Sequence, residues 1–461
     1  MSNRPTLARK LGLFDASMIV MGGIVGSGIF INPYVVARAV HTPMLILGAW
    51  IVGGVIALAG AFIYAELAAR LPDVGGQYAY IREAYHPSVA FLYGWGLLLI
   101  TQTGGMAAVS ITFAKYMLVL TGARWPDWLV AAVALAFLTI INCLGVKQGS
   151  AAQSALMLMK IAAIAALVFC GAFLVHATFP VWSRLPSAGM SDSHGWEGLS
   201  AFGAAMIPVL FAYGGWQTAC FIAGEIKDPR KNLPRGLLIG VSGVIVLYVS
   251  VSYVCLRVLG AAGLAQTETP ASAVMQAALG PAGVKLIAIG IAISTLGFLS
   301  QSILTAPRVY FAMAEDGLFF RSVAKIHPKT RVPIVAILLQ STWTMVIAVS
   351  GRYDQILNYV VSMDFVFFGL SATTLFVLRR RGIGDAPRTA TSHTAATAVA
   401  EPERAGYRVP GHPFTTAAFV AACWLVVANT IYRYPSNSLI GFAILAAGVP
   451  VYFIWSRRKS A

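Results

Sequence analysis

Two glycine clusters interrupt apolar stretches of the sequence, at 22–28 and at 211–215. Glycine weakens helix continuity, and unwound backbone inside a membrane is tolerated only where it is buried in protein or lines a cavity. Paired interruptions in matching positions of two repeats point to a transporter's binding site. Close packing of helices at glycine is the competing interpretation. Because the two clusters are five apolar segments apart, the sequence favours a binding site.

An unwound segment exposes backbone groups that suit an amino acid. The N–H groups of Ser27, Gly28 and Ile29 would begin a half-helix, whose positive end favours a carboxylate. The carbonyls expected to accept hydrogen bonds from an ammonium group belong to Ile24, Phe211 and Gly214. Together these atoms are predicted to hold a zwitterion, the head group common to every amino acid.

Lys160 lies well inside the fifth apolar segment. A charged group at such depth costs at least about 2.5 kcal/mol to insert, and it is therefore a functional candidate. The alternative is a lysine whose side chain extends to the membrane surface, which the depth of Lys160 makes awkward. The sequence favours a function for this residue.

Other polar residues inside the segments leave more than one interpretation open. Asp364, in the tenth segment, either takes part in transport or forms a hydrogen bond between helices. Gln102, in the third, either reaches a cavity or joins helices. Glu66 and Glu225 lie near segment ends and either bind a substrate or pair with nearby basic residues, which are Arg70 or Arg82 and Lys227.

Membrane helices must position these residues. The chain of 461 residues is 58% hydrophobic and 11% charged, against about 25% charged in a soluble domain. Stretches of roughly 18 apolar residues are candidates for spanning helices. The sequence predicts an all-α membrane protein with twelve transmembrane helices, at about 13–40, 43–70, 87–120, 127–146, 150–178, 197–226, 234–260, 283–314, 332–350, 354–379, 414–431 and 437–456.

The net charge of +16 is distributed unevenly between the predicted loops. With a cytoplasmic N-terminus, about 24 Lys and Arg residues fall inside and about five outside, which is the positive-inside signature. The basic charge therefore indicates topology and not nucleic-acid binding. Both termini are predicted to be cytoplasmic. The predicted parts are an N-terminus at 1–12, a transport core at 13–380, a Thr/Ala-rich linker at 381–413, two further helices at 414–456 and a tail at 457–461.

Short strings along the chain resemble the amino acid–polyamine–organocation superfamily, and most of all its L-type amino acid transporter branch with the bacterial relatives. The resemblance runs from about Leu11 to the tenth segment, and a further string precedes the eleventh. The strings include Gly26-Ser27-Gly28-Ile29-Phe30, Gly75-Gly76-Gln77-Tyr78, Phe211-Ala212-Tyr213-Gly214-Gly215-Trp216, Asn232-Leu233-Pro234-Arg235 and Tyr407-Arg408-Val409-Pro410-Gly411.

The resemblance implies that segments one to five and six to ten are inverted repeats, with helices 1 and 6 interrupted. It implies that the aromatic residue at Phe211 closes over the substrate as a gate. Lys160 resembles a fifth-segment lysine that replaces a sodium ion and bridges the first and eighth segments, with Ser302 as the expected partner. Transport without sodium follows, as exchange or coupled to protons.

Two departures from the branch are visible. Animal members carry a cysteine between segments three and four that bonds an accessory glycoprotein. The corresponding loop at 120–127 has no cysteine, so no disulfide-linked accessory subunit is expected. After Trp216, where animal members often have Asn, this chain has Gln217. The accepted substrate side chain is therefore left open.

The sequence thus predicts a sodium-independent secondary transporter of small neutral L-amino acids in the inner membrane, working by alternating access. The alternative is a proton-coupled permease or exchanger for a cationic amino acid or polyamine, for which Asp364 would supply the acidic group. A channel is disfavoured because no selectivity-filter motif appears. An enzyme is disfavoured because no catalytic cluster lies at a membrane face. No cofactor, metal or nucleic acid is predicted, and the surrounding partner is membrane lipid.

Overall fold

The computed structural model describes residues 7–175, 196–350, 353–384, 406–433 and 435–460. These ranges form sixteen α-helices, joined in places by short π-helical or 3-10 turns. No strand occurs in the described ranges, where one isolated bridge pairs Leu11 with Ile226. The helices are α1 (Leu13–Ile24), α2 (Gly28–Val40), α3 (Pro43–Arg70), α4 (Gln77–Ala84), α5 (Pro87–Gly96), α6 (Gln102–Thr121), α7 (Asp127–Cys143), α8 (Val146–Phe169), α9 (Trp196–Tyr213), α10 (Pro229–Gln266), α11 (Pro270–Thr305), α12 (Pro307–Glu315), α13 (Ile334–Val349), α14 (Tyr353–Arg380), α15 (Phe414–Arg433) and α16 (Pro435–Ser460).

Eight helical runs in the described ranges are long and apolar enough to cross a bilayer, and α1 with α2 makes a ninth if the bent pair is one span. Two further apolar helices, α7 and α13, are shorter. Large apolar side chains such as Phe137 and Val246 are exposed, which suits a lipid surrounding because the bilayer core is apolar. The all-helical membrane class is confirmed, whereas the count of twelve spans stays a prediction.

The described helices match the positions of the predicted segments, with two differences in length. The seventh segment corresponds to α10, which begins at Pro229 and reaches Gln266. The eighth segment corresponds to α11 and α12. The apolar stretch at 271–280 is the first part of α11, and Gly280, with a φ of 61°, separates it from the rest of that helix. A left-handed residue there lets the chain turn, because glycine adopts positive φ without strain.

The predicted interruptions of the first and sixth segments are present. The first segment is split into α1 and α2, which are bent by 43° across the break. The sixth segment leaves α-helical geometry after Tyr213 and continues as a 3-10 helix over Trp216–Glu225. Gly215, with a φ of 103°, occupies a region that residues with a Cβ avoid. These two breaks position the candidate site.

Buried ion pairs join the ends of several helices. Glu66 accepts from Arg379, with Nη2–Oε2 of 2.5 Å, and from Arg70, with Nε–Oε1 of 2.8 Å. Its pairing with Arg70 was predicted and is confirmed. The predicted partner of Glu225, Lys227, is wrong: Arg308 of α12 lies 2.6 Å from the carboxylate. A fully buried carboxylate needs a desolvated partner, and the sequence neighbour does not supply it.

Candidate substrate-binding site

The carbonyls of the first break are held by side chains from three other helices, α8, α10 and α11. Lys160 Nζ of α8 donates to the Val25 carbonyl at 2.5 Å and to the Gly22 carbonyl at 3.4 Å. Ser294 Oγ of α11 donates to the Gly26 carbonyl at 2.9 Å. Tightly packed membrane interiors contain little water to satisfy freed backbone groups, so these donors stabilise the unwound conformation.

The Tyr248 hydroxyl of α10 links the two breaks. It lies 3.1 Å from the Ile24 carbonyl and 3.3 Å from the Ala212 carbonyl, one at each break. Its side chain is fully buried and packs edge-on against Trp50. Because a carbonyl has two lone pairs, Ile24 retains one acceptor position for a ligand ammonium.

The second break is held mainly by local hydrogen bonds. Gly214 N–H donates to the Phe211 carbonyl at 3.1 Å, and Gly215 N–H donates to Gln217 Oε1 at 3.1 Å. Thr218 Oγ1 donates to the Gly215 carbonyl at 2.6 Å. Gln301 Nε2 of α11 donates to Thr218 Oγ1 at 2.5 Å. The second break therefore depends chiefly on its own few residues.

The two breaks touch through their glycines. A Cβ added to Gly23 would lie 2.6 Å from the Gly215 carbonyl oxygen, and one added to Gly215 would collide with the Gly23 carbonyl. Real Cβ atoms do not approach carbonyl oxygens this closely, so both positions require glycine. The glycine clusters thus do more than weaken a helix: they let the two backbones meet.

A cavity of about 90 Å³ lies at the two breaks and extends to the wall formed by α14 and the turn before α6. A water-sized group needs about 10–15 Å³, so this volume accommodates on the order of six to nine non-hydrogen atoms. Six of the predicted site residues line it: Ile24, Ser27, Gly28, Phe211, Gly214 and Ser302. The structure brings together the residues predicted from both glycine clusters.

Helix α2 begins beside this cavity. It starts at Gly28, and its N-cap residue Ser27 makes no side-chain capping bond. The first N–H groups of a helix have no partner within the helix, and their positive end suits an anion. Ile29 is the one predicted head-group residue outside the lining, and its side chain is fully buried. Its backbone N–H nevertheless belongs to the first turn of α2.

Lys160 and Ser302 are not brought together. Lys160 is fully buried behind the first break and outside the cavity lining. Ser302 lines the cavity and lies 3.5 Å from Gln301 Oε1. Across from the Lys160 stem is Gly297, where an added Cβ would collide with Lys160 Cε. The bridge from Lys160 to the first segment is therefore present, whereas the predicted contact with Ser302 is not made in this conformation.

Several lining residues were missed or left undecided by sequence reasoning. The turn Leu97–Thr101 before α6 is π-helical, a geometry frequent at functional sites, and it carries Thr101 into the lining. Nothing in the residue types signals that turn. Gln102 and Asp364 also line the cavity, which resolves their position but not their role. Asp364 was recognisable as an acid at membrane depth.

The fold and the cavity define a class of protein, a multi-pass helical membrane protein whose binding cavity lies at two broken helices, as in secondary transporters. A family model for amino acid permeases matches residues 11–454, and the chain belongs to that family. The superfamily resemblance seen in the sequence is thereby confirmed. The family consists of membrane transporters of amino acids, so this chain is a transporter and not an enzyme.

Similar proteins are amino acid exchangers or transporters by name. The chain is 30% identical to the serine/threonine exchanger SteT of Bacillus subtilis, over 99% of this chain and 98% of that protein. It is 30% identical to the large neutral amino acids transporter small subunit 2 of Rattus norvegicus, over 97% of this chain and 81% of that protein. It is 26% identical to the human cystine/glutamate transporter, over 98% and 87% of the two chains.

Proposed function

We propose that this protein exchanges small neutral L-amino acids across the membrane without sodium, by alternating access. The observation that carries the proposal is the cavity at the two breaks, where N–H groups and carbonyls lie together. The positive end of α2 would bind the α-carboxylate. The carbonyls of Ile24, Phe211 and Gly214 would bind the α-ammonium.

The size of the cavity supports a small substrate. Its volume accommodates on the order of six to nine non-hydrogen atoms, a range that includes serine and threonine. The similar protein SteT is named a serine/threonine exchanger, which agrees with this range. Serine and threonine are therefore the first substrates to test.

Independence from sodium is supported by Lys160. Its ammonium lies against the Val25 and Gly22 carbonyls, which are oxygens of the kind that a sodium ion would need. A fixed cation at this position would repel a second one because the interior dielectric is low. We therefore expect transport to need no sodium, and Lys160 to take part in coupling the first break to α8. We expect Ser302 to take part in this coupling in a conformation in which Lys160 reaches it.

We expect the protein to have twelve membrane spans, arranged as two inverted repeats of five helices and two further helices. We also expect the protein to lie in the inner membrane, with both termini in the cytoplasm. Phe211, which lines the cavity, would close over the bound substrate as a gate. We expect the protein to work without a disulfide-linked accessory subunit.

The test is uptake of labelled serine into proteoliposomes that hold the purified protein, in the absence of sodium. Vesicles are either empty or loaded with unlabelled serine, and a proton gradient is imposed on a further set. Uptake confined to loaded vesicles establishes exchange. Uptake into empty vesicles driven by the gradient replaces exchange with proton-coupled uptake. A strict requirement for sodium, or no transport of any small neutral amino acid, would refute the proposal.

A further inference from the structure

The cavity contains a carboxyl group that the head-group site does not use. Asp364 of α14 is the single titratable residue among the described residues that line the cavity. It interacts with the side chain of Thr101, which the π-helical turn carries into the same wall. The predicted head-group atoms belong to the two helix breaks, whereas Asp364 comes from α14. Asp364 is therefore available to the side chain of an amino acid whose head group is bound at the breaks.

No ion pair joins Asp364 to a basic side chain in the described part of the chain. The buried ammonium of Lys160 bonds to the first break and lies outside the cavity lining. An ionised carboxylate inside a membrane protein is costly unless a cation is beside it. Asp364 therefore needs either a proton or a cation supplied by the bound substrate.

The groups packed around α14 do not supply that cation. Tyr93 of α5 lies within electrostatic range of Asp364, and its hydroxyl donates to Gln77. Further along α14, Tyr64 of α3 accepts from Gln77, which also donates to Ser371. Cys423 of α15 lies against Gly369. The guanidinium of Arg379, at the end of α14, is bound by Glu66.

We propose that Asp364 lets the transporter carry two interchangeable loads of equal charge. One load is a neutral amino acid together with a proton on Asp364, and the other is a cationic amino acid whose side-chain ammonium pairs with the ionised carboxylate. The proton on Asp364 is taken from and returned to whichever solution the cavity faces. The inference rests on the proposed amino acid exchange. The cavity volume limits the cationic substrates to short ones, with ornithine at the upper end of the range.

Exchange of serine for ornithine tests this proposal directly. Vesicles are loaded with ornithine and a pH-sensitive dye, the membrane potential is clamped, and serine is added outside without sodium. We expect the lumen to acidify in step with serine entry, because each serine enters with a proton and each ornithine leaves without one. In serine-loaded vesicles we expect exchange without acidification, because a proton moves in each direction.

Substitution of the carboxyl group gives the matched variant. Asp364→Asn should lower the ratio of ornithine to serine transport by at least about tenfold, since the buried partner of the substrate charge is lost, and should abolish acidification. Asp127→Asn, at the start of α7 and outside the cavity, is the control and should keep both properties.

The outcomes separate this proposal from the one on which it rests. Serine exchange without ornithine exchange, or ornithine exchange without proton movement, would overturn the role of Asp364 and leave serine exchange in place. The absence of serine exchange would refute the proposed function itself. If Asp364→Asn does not reach the membrane in folded form, the proton measurement on the unsubstituted protein still decides the question.

Discussion

The two helix breaks have similar glycine-rich sequences but are held in different ways. At the first, donors from α8, α10 and α11 reach the carbonyls of four successive or nearly successive residues, Gly22, Ile24, Val25 and Gly26. At the second, Gln217 and Thr218 from the same segment make most of the bonds. The first break thus depends on the packing of distant helices, whereas the second is largely encoded locally. Movement of the surrounding helices should therefore change the geometry of the first break more than that of the second.

The largest effect is expected from Lys160→Met, which removes the donor to two carbonyls of the first break. Each buried carbonyl left without a partner costs about 1–3 kcal/mol, and about 1.4 kcal/mol corresponds to a tenfold change. We expect exchange in vesicles to fall at least about 100-fold, measured per amount of inserted protein.

The control for this substitution is Lys147→Met, since Lys147 is exposed at the start of the same helix, α8, and is outside the cavity lining. It should change exchange less than about twofold, as surface substitutions usually do. If Lys160→Met transports at the unsubstituted rate, the first break does not depend on the α8 donor, and the contrast between the breaks is lost.

Gly215→Ala tests the place where the two breaks meet. The substitution introduces a Cβ at a φ of 103°, which costs about 1–2 kcal/mol, and drives it into the Gly23 carbonyl. Overpacking adds about 1–3 kcal/mol. We expect thermal stability in detergent to decrease and exchange to fall by about 10-fold to 100-fold.

Gly48→Ala is the matched control, because no atom lies within 4 Å of the added Cβ and alanine favours a helix more than glycine does. Its thermal stability should be unchanged or higher. Equal behaviour of the two alanine variants would show that the close approach of the breaks is not needed.

Much of this contrast lies beyond what the sequence predicts. Lys160 was identifiable because a charge in an apolar run is conspicuous, and the glycine clusters because they recur at matching places. Tyr248 and Ser294 were not, since tyrosine and serine are ordinary in membrane helices and no spacing relates them to the break. The π-helical turn has no residue signature.

Ser302, and not Ser294, was predicted from the sequence as the serine near the first break, which shows the same limit of prediction from sequence. The two serines are eight residues apart on α11, or about 12 Å along a helix axis. Ser294 donates to the Gly26 carbonyl, and which of the two serines lies at the first break depends on how α11 packs against it. The order of helices was predictable from hydrophobic runs, but the register between them was not.

Phe211→Ala tests the proposed gate at the second break. Phe211 lines the cavity and packs against Ile100 and Met363 from two other elements, so its loss should leave the substrate open to solvent. We expect exchange to fall about tenfold, because a closing group keeps water out of the site. Phe137→Ala removes an exposed phenylalanine of α7 and should leave exchange unchanged. Unaltered exchange by Phe211→Ala would remove the gate from the mechanism.

The smallest effect is expected from Tyr248→Phe, which removes the hydroxyl that bridges the two breaks and little else. Hydrogen bonds of 3.1 and 3.3 Å to neutral groups contribute about 0.5–1.5 kcal/mol each. If the hydroxyl aligns the Ile24 carbonyl for the substrate ammonium, the half-saturating serine concentration should rise by roughly fivefold, which corresponds to about 1 kcal/mol, with a smaller change in maximal rate. Tyr253→Phe, at an exposed position on the same helix, should change neither. A normal half-saturating concentration for Tyr248→Phe would show that the hydroxyl does not align the Ile24 carbonyl for the substrate ammonium.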